Sequence, residues 1–318
     1  MAGNEFSIIR RYFSAIGVPN KGVLLGIGDD CALVRAESLP LAISIDTLVE
    51  GVHFPVSMAP ENVGYRALAV SISDLAAMAA KPAWFTLAMT LPEPDEVWLQ
   101  GFSSGLGELA RELCIPLIGG DTTRGPLTLS VQVAGHTPAQ PLLRSGAQPG
   151  DRILVSGCLG DAAAGLELVT GGCAPLNGLN ENHRKYLLQR FNRPQPRCDL
   201  VDWLSVNASA GIDISDGLLA DLGHILDASG VGAEIWATNV PLSSAMRLAP
   251  RNWAIEKALT GGDDYELCVC VRPAVWESLC QATSDWTQIG EITAEPGLRV
   301  RDVDGRLLSF RRQGYQHF

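Results

Sequence analysis

Gly211-Ile212-Asp213-Ile214-Ser215-Asp216-Gly217-Leu218-Leu219-Ala220-Asp221-Leu222-Gly223-His224 reads as a short strand that passes through a tight turn into a helix. The strand covers Gly211 to Ile214, the helix covers Gly217 to Ser229, and Gly230 is placed to cap it. Alternation along the strand puts Asp213 and Ser215 on one side, with Asp216 at the helix start. Ser215 and Asp216 are suited to N-capping. The same helix N-terminus offers free amides to a phosphate, and the two roles can coexist.

Strand and helix patterns alternate on both sides of this stretch. Towards the C-terminus they give strands at Arg152–Ser156, Ala233–Trp236, Glu266–Val271 and Leu298–Val303, and helices at Asp161–Thr170 and Cys198–Ser205. Asn177 to Arg197 is polar and flanked by proline. Towards the N-terminus, residues 4–16 read as a short amphipathic helix, and Gly26–Val34 as a turn entering a strand. Leu39–Ile45 is strand-like and ends at Asp46, and Pro60–Ala80 is helical. Trp84–Leu91 is a strand, Pro94–Cys114 a helix, Leu117-Ile118 a short strand ending at Gly119-Gly120-Asp121, and Leu127–His136 a strand. Thr137 to Gly150, with Pro138, Pro141, Gly146, Pro149 and Gly150, is the best linker. The expected organisation is an N-terminal domain over 1–137, a linker over 138–150 and a C-terminal domain over 151–318. Both domains are of mixed α/β (α+β) class.

At 318 residues the chain is long enough for two cores. Its 47% hydrophobic and 19% charged composition is that of a globular protein. A formal net charge of −11 disfavours unaided binding to nucleic acid or an anionic membrane. No apolar stretch is long enough for a membrane span, and the N-terminus lacks a signal-peptide core. The eight cysteines show no CxxC pair; Cys268 and Cys270 share one face of a strand and read as buried free thiols. A reducing, cytoplasmic setting is expected.

The chemistry is concentrated in aspartates. They recur at Gly28-Asp29-Asp30, Ser44-Ile45-Asp46, Ser73-Asp74, Gly119-Gly120-Asp121, Asp213–Asp216 and Gly261-Gly262-Asp263-Asp264. Carboxylates gathered at strand ends repel one another unless a cation sits among them. Oxygen ligands with little His or Cys nearby favour Mg2+ over Zn2+. Asp46 and Asp121 each close an apolar segment, which would bring both to the carboxyl edge of one sheet. Asp74 sits beside Ala67, Val70, Ser71, Ala77 and Met78 on an otherwise apolar helix face, where a lone carboxylate needs a partner. Gly-Asp at 28–29 is equally the composition of a surface turn. Arg144 is a candidate phosphate clamp, Arg124 a weaker one, and a solvated surface Arg is as good a reading of either. A lone histidine such as His53 is more often structural, and Tyr315 is an aromatic in a polar tail. There is no GxxxxGK[ST] loop, no kinase HRD or DFG set and no nucleophile elbow, so phosphate chemistry would depend on carboxylate-held metal.

The strings GIGDDCAL, SIDTLVEGVHF, SISDLAAM, LIGGDTTRGPLTL, RSGAQPGD, GIDISDGLLADLGH and GGDDYEL stand in the order seen in the bacterial thiamine-monophosphate kinase family. The resemblance runs from Glu5 to the Gly314-Tyr315 tail. It implies an N-terminal α/β domain that dimerises through its sheet, a C-terminal α/β sandwich, ATP bound in the cleft, and conversion of ATP and thiamine monophosphate into ADP and thiamine diphosphate. By matching motifs it implies that Asp30, Ser44, Ile45 (through its backbone), Asp46, Asp74, Asp121, Asp213 and Asp216 hold several Mg2+ ions. It likewise implies that Gly120, Asp121, Arg144 and Ser215 contact ATP, and that His53, Asp263 and Tyr315 contact thiamine phosphate. Ile45 stands where the family usually has Thr, Asp263 where it usually has Glu, and Ala79 where Gly is common. The rivals are other ATP-dependent members of the same superfamily and a non-catalytic binder of nucleotide and divalent ion. No cysteine precedes Cys31 and the chain ends His317-Phe318, which disfavours the selenophosphate synthetase and hydrogenase-maturation relatives.

Overall fold

A computed structural model describes residues 8–18, 21–25, 27, 32–35, 39–172, 174–279, 285–310 and 314–315. Asp29, Asp30 and the start of the expected 4–16 helix lie outside them. The chain divides into two units, one of residues 1–76 and 80–140, the other of 77–79 and 141–318.

In the first unit, β1 (Val23–Leu25) and β2 (Leu33–Val34) form a small antiparallel pair. The main sheet has β3 (Leu41–Val49), β4 (Lys81–Leu91), β5 (Leu117–Arg124) and β6 (Thr128–His136) in the order β3-β6-β4-β5. Only the β4/β5 pair is parallel, joined by the crossover helix Glu96–Glu112. Asp95 caps that helix by accepting from the amides of Val97 and Trp98. Helix Pro60–Ala77 lies beside it. Two glycines permit the approach: a Cβ on Gly105 would stand 1.8 Å from the Glu61 carbonyl oxygen, and one on Gly64 2.0 Å from that of Phe102.

One sheet face carries Leu129, Val131, Val133, Phe85, Leu87 and Met89, all buried. The opposite face leaves Leu41, Ile43 and Ile45 exposed. Alternation explains both, since residues two apart share a face. The helix expected to reach Ala80 stops at Ala77, and the chain turns through Ala79 at φ +54. Alanine in this left-handed conformation costs roughly 1 kcal/mol more than glycine.

The second unit holds a seven-stranded sheet in the order β13-β12-β9-β11-β7-β10-β8. Its strands are β7 (Arg152–Ser156), β8 (Ala208–Asp213), β9 (Gly232–Trp236), β10 (Leu267–Val271), β11 (Trp286–Thr293), β12 (Gly297–Arg301) and β13 (Leu307–Leu308). Neighbours are antiparallel except β9/β12. Helices Asp161–Thr170, Glu181–Asn192, Leu218–Ser229 and Arg251–Thr260 contribute Ala164, Leu187, Leu222 and Ala258 to one core with Ile153, Val155, Cys268 and Cys270. Strand β10 is buried along its length, and both of its cysteines are free. Gly230 ends the Leu218–Ser229 helix at φ +67, the cap conformation its sequence suggests.

No helix among the described residues is long and apolar enough to cross a membrane.

Candidate functional site

In the first unit, β3 places Ser44 and Asp46 on the helix-facing side, and helix Pro60–Ala77 brings Asp74 to them. The Ser44 hydroxyl donates to Asp74 Oδ2. Asp46 Oδ2 is buried and has no hydrogen-bond partner. Burial, and next the charge of Asp74, push the Asp46 carboxyl up to about 6, while the Ser71 hydroxyl beside it pulls the other way. A buried oxygen without a donor, next to a second carboxylate and a hydroxyl, suits a hard cation. Among the described residues, however, no three His, Cys, Asp or Glu side chains converge as a complete metal site.

Two expectations are corrected here. Asp46 and Asp121 do not close their strands: β3 runs on to Val49 and β5 to Arg124. Backbone pairing continues past the apolar run, with Asp46 opposite Val131 and Asp121 opposite Ala88. Asp121 is exposed and accepts from the Thr122 amide at 2.9 Å, and Gly120 beside it is exposed too. Ile45 points to the open face at 64% exposure, opposite in direction to Asp46, so its side chain is no ligand there. His53 Nδ1 accepts from the Val49 amide at 2.9 Å, which leaves the proton of the neutral ring on Nε2.

In the second unit, the Asp213–Gly217 turn is organised by a residue that sequence reasoning passed over. Asp221 Oδ2 accepts from the amides of Ser215, Asp216 and Gly217 at 3.0, 3.1 and 3.0 Å. The three amides of the turn are therefore occupied, and the N-cap residue of helix Leu218–Ser229 is Gly217, one position beyond Asp216, and it gives no side-chain bond. An anion from one turn further along the helix already satisfies these donors, so a phosphate finds none of the three free. Burial pushes the Asp221 carboxyl up to about 7 against the pull of these amides.

The backbone then ties the other expected residues to this turn. The Asp263 amide donates to the Ser215 carbonyl at 2.8 Å, and the Tyr315 amide donates to the Asp216 carbonyl at 3.0 Å. Asp213, at the end of β8, is 4% exposed, Ser215 and Asp216 are half-buried, and Tyr315 is exposed. Asp213, Ser215, Asp216, Asp263 and Tyr315 thus share one neighbourhood. Arg144 is exposed in the 137–150 segment, where the Ser229 hydroxyl donates to its carbonyl at 3.1 Å and accepts from the Gly146 and Ala147 amides. Arg124 is held through Nε to the Pro92 carbonyl at 3.3 Å.

A two-unit α/β protein with carboxylate-rich turns and no phosphate loop matches one family in two consecutive parts. Residues 28–137 match the AIR synthase related protein N-terminal domain, and residues 148–303 its C-terminal domain. Within that class the chain belongs to the thiamine-monophosphate kinase family. The thiamine-monophosphate kinase of Salmonella typhimurium is 48% identical over 100% of this chain and 99% of its own. That of Bacillus subtilis is 36% identical over 99% of each. The crystal structure of the thiamine-monophosphate kinase from Stenotrophomonas maltophilia K279a superposes with a TM-score of 0.86 at 44% identity, covering 97% of this chain and 99% of that one. A structure of "AaThiL complexed with AMPPCP and TMP" gives 0.79 at 35% identity, covering 92% of both chains. The E. coli hydrogenase maturation protein HypE shares the fold at 21% identity.

Proposed function

We propose that this protein transfers the terminal phosphoryl group of ATP to the phosphate of thiamine monophosphate, giving ADP and thiamine diphosphate. The observation that carries it is the 48% identity, over the full chain, to a thiamine-monophosphate kinase. The relative complexed with AMPPCP and TMP supports the same pair of ligands. A phosphate oxygen of thiamine monophosphate forms the new O–P bond as the bond to the ADP oxygen breaks, in line. That oxygen is already anionic near neutral pH, so no strong base is required, which agrees with a candidate site built of carboxylates.

Asp30, Ser44, Ile45 through its carbonyl, Asp46, Asp74, Asp121, Asp213 and Asp216 hold several Mg2+ ions in this reading. The unpartnered Asp46 Oδ2 supports it. When bound, Mg2+ neutralises phosphate charge and favours in-line alignment. Gly120, Asp121, Arg144 and Ser215 bind ATP. His53, Asp263 and Tyr315 bind thiamine phosphate, with Tyr315 suited to stack on the cationic thiazolium ring. Residues 1–137 form the dimerising domain, 138–150 the linker and 151–318 the second domain. The exposed Leu41, Ile43 and Ile45 support a homodimer through the open sheet face. The protein works in the cytoplasm.

Incubating the protein with Mg-ATP and thiamine monophosphate tests this by mass: thiamine diphosphate should accumulate with ADP. ADP without thiamine diphosphate would overturn it. Thiamine should be a poor acceptor, because its neutral hydroxyl must still lose a proton that the phosphate oxygen of thiamine monophosphate has already lost.

A further inference from the structure

Residues 261–266 alternate in direction between helix Arg251–Thr260 and β10. Asp264 and Glu266 are buried at 0% and 3%, whereas Asp263 and Tyr265 are half-buried. Asp263 and Tyr265 both have left-handed backbones, at φ +73 and +50. Two such residues within three positions persist only where the surroundings over-determine them. Their amides donate to the Ser215 and Ile214 carbonyls at 2.8 and 2.9 Å.

The inward-facing residues are clamped from behind. Asp264 accepts from the Gly160 and Ala162 amides at 2.6 and 3.1 Å. Arg190 donates through Nη2 both to the Asp264 carbonyl, at 3.1 Å, and to Glu266 Oε1, at 2.8 Å. Arg197 and Ser156 take Glu266 Oε2 at 2.8 and 2.5 Å. Arg190 itself sits on helix Glu181–Asn192, which Gly165 admits close to helix Asp161–Thr170; a Cβ there would stand 2.3 Å from the Leu187 carbonyl oxygen. The Arg190 side chain is only 13% exposed.

We propose that Arg190 is a positioning residue for thiamine monophosphate: it holds the 263–265 backbone so that Asp263 faces the substrate. This rests on the role given to Asp263 under the proposed function. Arg190 grips the carbonyl between the two left-handed residues and the carboxylate after them, so its loss frees the loop at the position that orients Asp263. The Asp213–Gly217 turn touches this loop through the Ser215 and Ile214 carbonyls but is also held by three amide bonds to Asp221, so it keeps its shape without Arg190 and binding of ATP depends less on that residue. Lysine supplies the charge without the planar fork and substitutes for it only in part.

The test measures KM for thiamine monophosphate and for Mg-ATP in the wild type, R190M, R190K and the control R152M. R152M breaks another ion pair of the same sheet, Arg152–Glu291. Calorimetric titration of thiamine monophosphate in the presence of AMPPCP gives a readout independent of turnover. In R190M, KM and Kd for thiamine monophosphate should rise about tenfold or more, with kcat and KM for Mg-ATP within about threefold. R190K should fall between, and R152M should match the wild type. Equal rises in both KM values, or unchanged thiamine monophosphate affinity in folded R190M, would overturn the assignment. If R190M does not fold, R190K decides, and unchanged affinity there overturns it too. A wild type that makes no thiamine diphosphate and binds no thiamine monophosphate sinks the underlying function instead.

Discussion

Replacing Asp221 separates two things it does: it accepts three amide hydrogens, and it places a carboxyl group in the interior. Asn and Ala both remove the charge, so the cost of burying it cancels when D221N is compared with D221A. What remains is the acceptor. In D221N the amide oxygen can still take the amides of Ser215, Asp216 and Gly217. In D221A the buried Gly217 amide loses its partner, at about 1–3 kcal/mol. The half-buried Ser215 and Asp216 amides turn to water at roughly 0.5 kcal/mol each. D221A should therefore be about 2–4 kcal/mol less stable than D221N by urea unfolding. Because the carboxyl is pushed up to about 7, its stabilising contribution is present below pH 4 and lost as pH rises through 7. At pH 8, D221N should be at least as stable as the wild type. Turnover of thiamine monophosphate should fall about 100-fold in D221A as the turn shifts, and stay near wild type in D221N. Equal stability and equal turnover in the two variants would refute the claim that Asp221 builds this turn.

Asp46 gives the opposite balance of stability and activity. Its carboxyl is raised to about 6, so its contribution to stability is lost as pH rises from about 4 through 6. In EDTA at pH 8, D46N should unfold at higher urea than the wild type, by roughly 1–3 kcal/mol, yet lose Mg2+-dependent turnover; retained turnover would remove Asp46 from the metal set. Burial pushes Asp264 up to about 8, so the wild type should lose roughly 2–3 kcal/mol relative to D264N between pH 6 and 8.5. A pH-independent gap in urea midpoints contradicts an Asp264 that titrates in this window. Finally, I45E puts a charge on the open face of the first sheet; under the proposed homodimer, light scattering should find the wild type dimeric and I45E monomeric at the same concentration. A dimeric I45E places that interface elsewhere.

Much of the fold was legible where order is local. Strand Arg152–Ser156, helix Asp161–Thr170 and the Gly230 cap follow from alternation and from glycine's tolerance of positive φ. Helix Glu181–Asn192 was not, because only Leu187 and Phe191 of its twelve residues are buried and its polar face resembles a loop. Helices Arg251–Thr260 and Pro273–Leu279 and strand Trp286–Thr293 also went unread, as did Asp221 and Arg190, whose partners lie along or across the fold.

By itself, the sequence determined the strand–turn–helix units, the aspartate-rich turns and the family, since all three are carried by short ordered strings. The seven-strand order, with β8 beside β10 and β10 beside β7, needed the tertiary structure. So did the direction of each carboxylate. Asp263 and Asp264 are adjacent and chemically identical, yet one is half-buried beside the Ser215 carbonyl and the other is buried against two helix amides. Residue type says that an aspartate needs donors or a cation; only the folded backbone decides which of the two it meets.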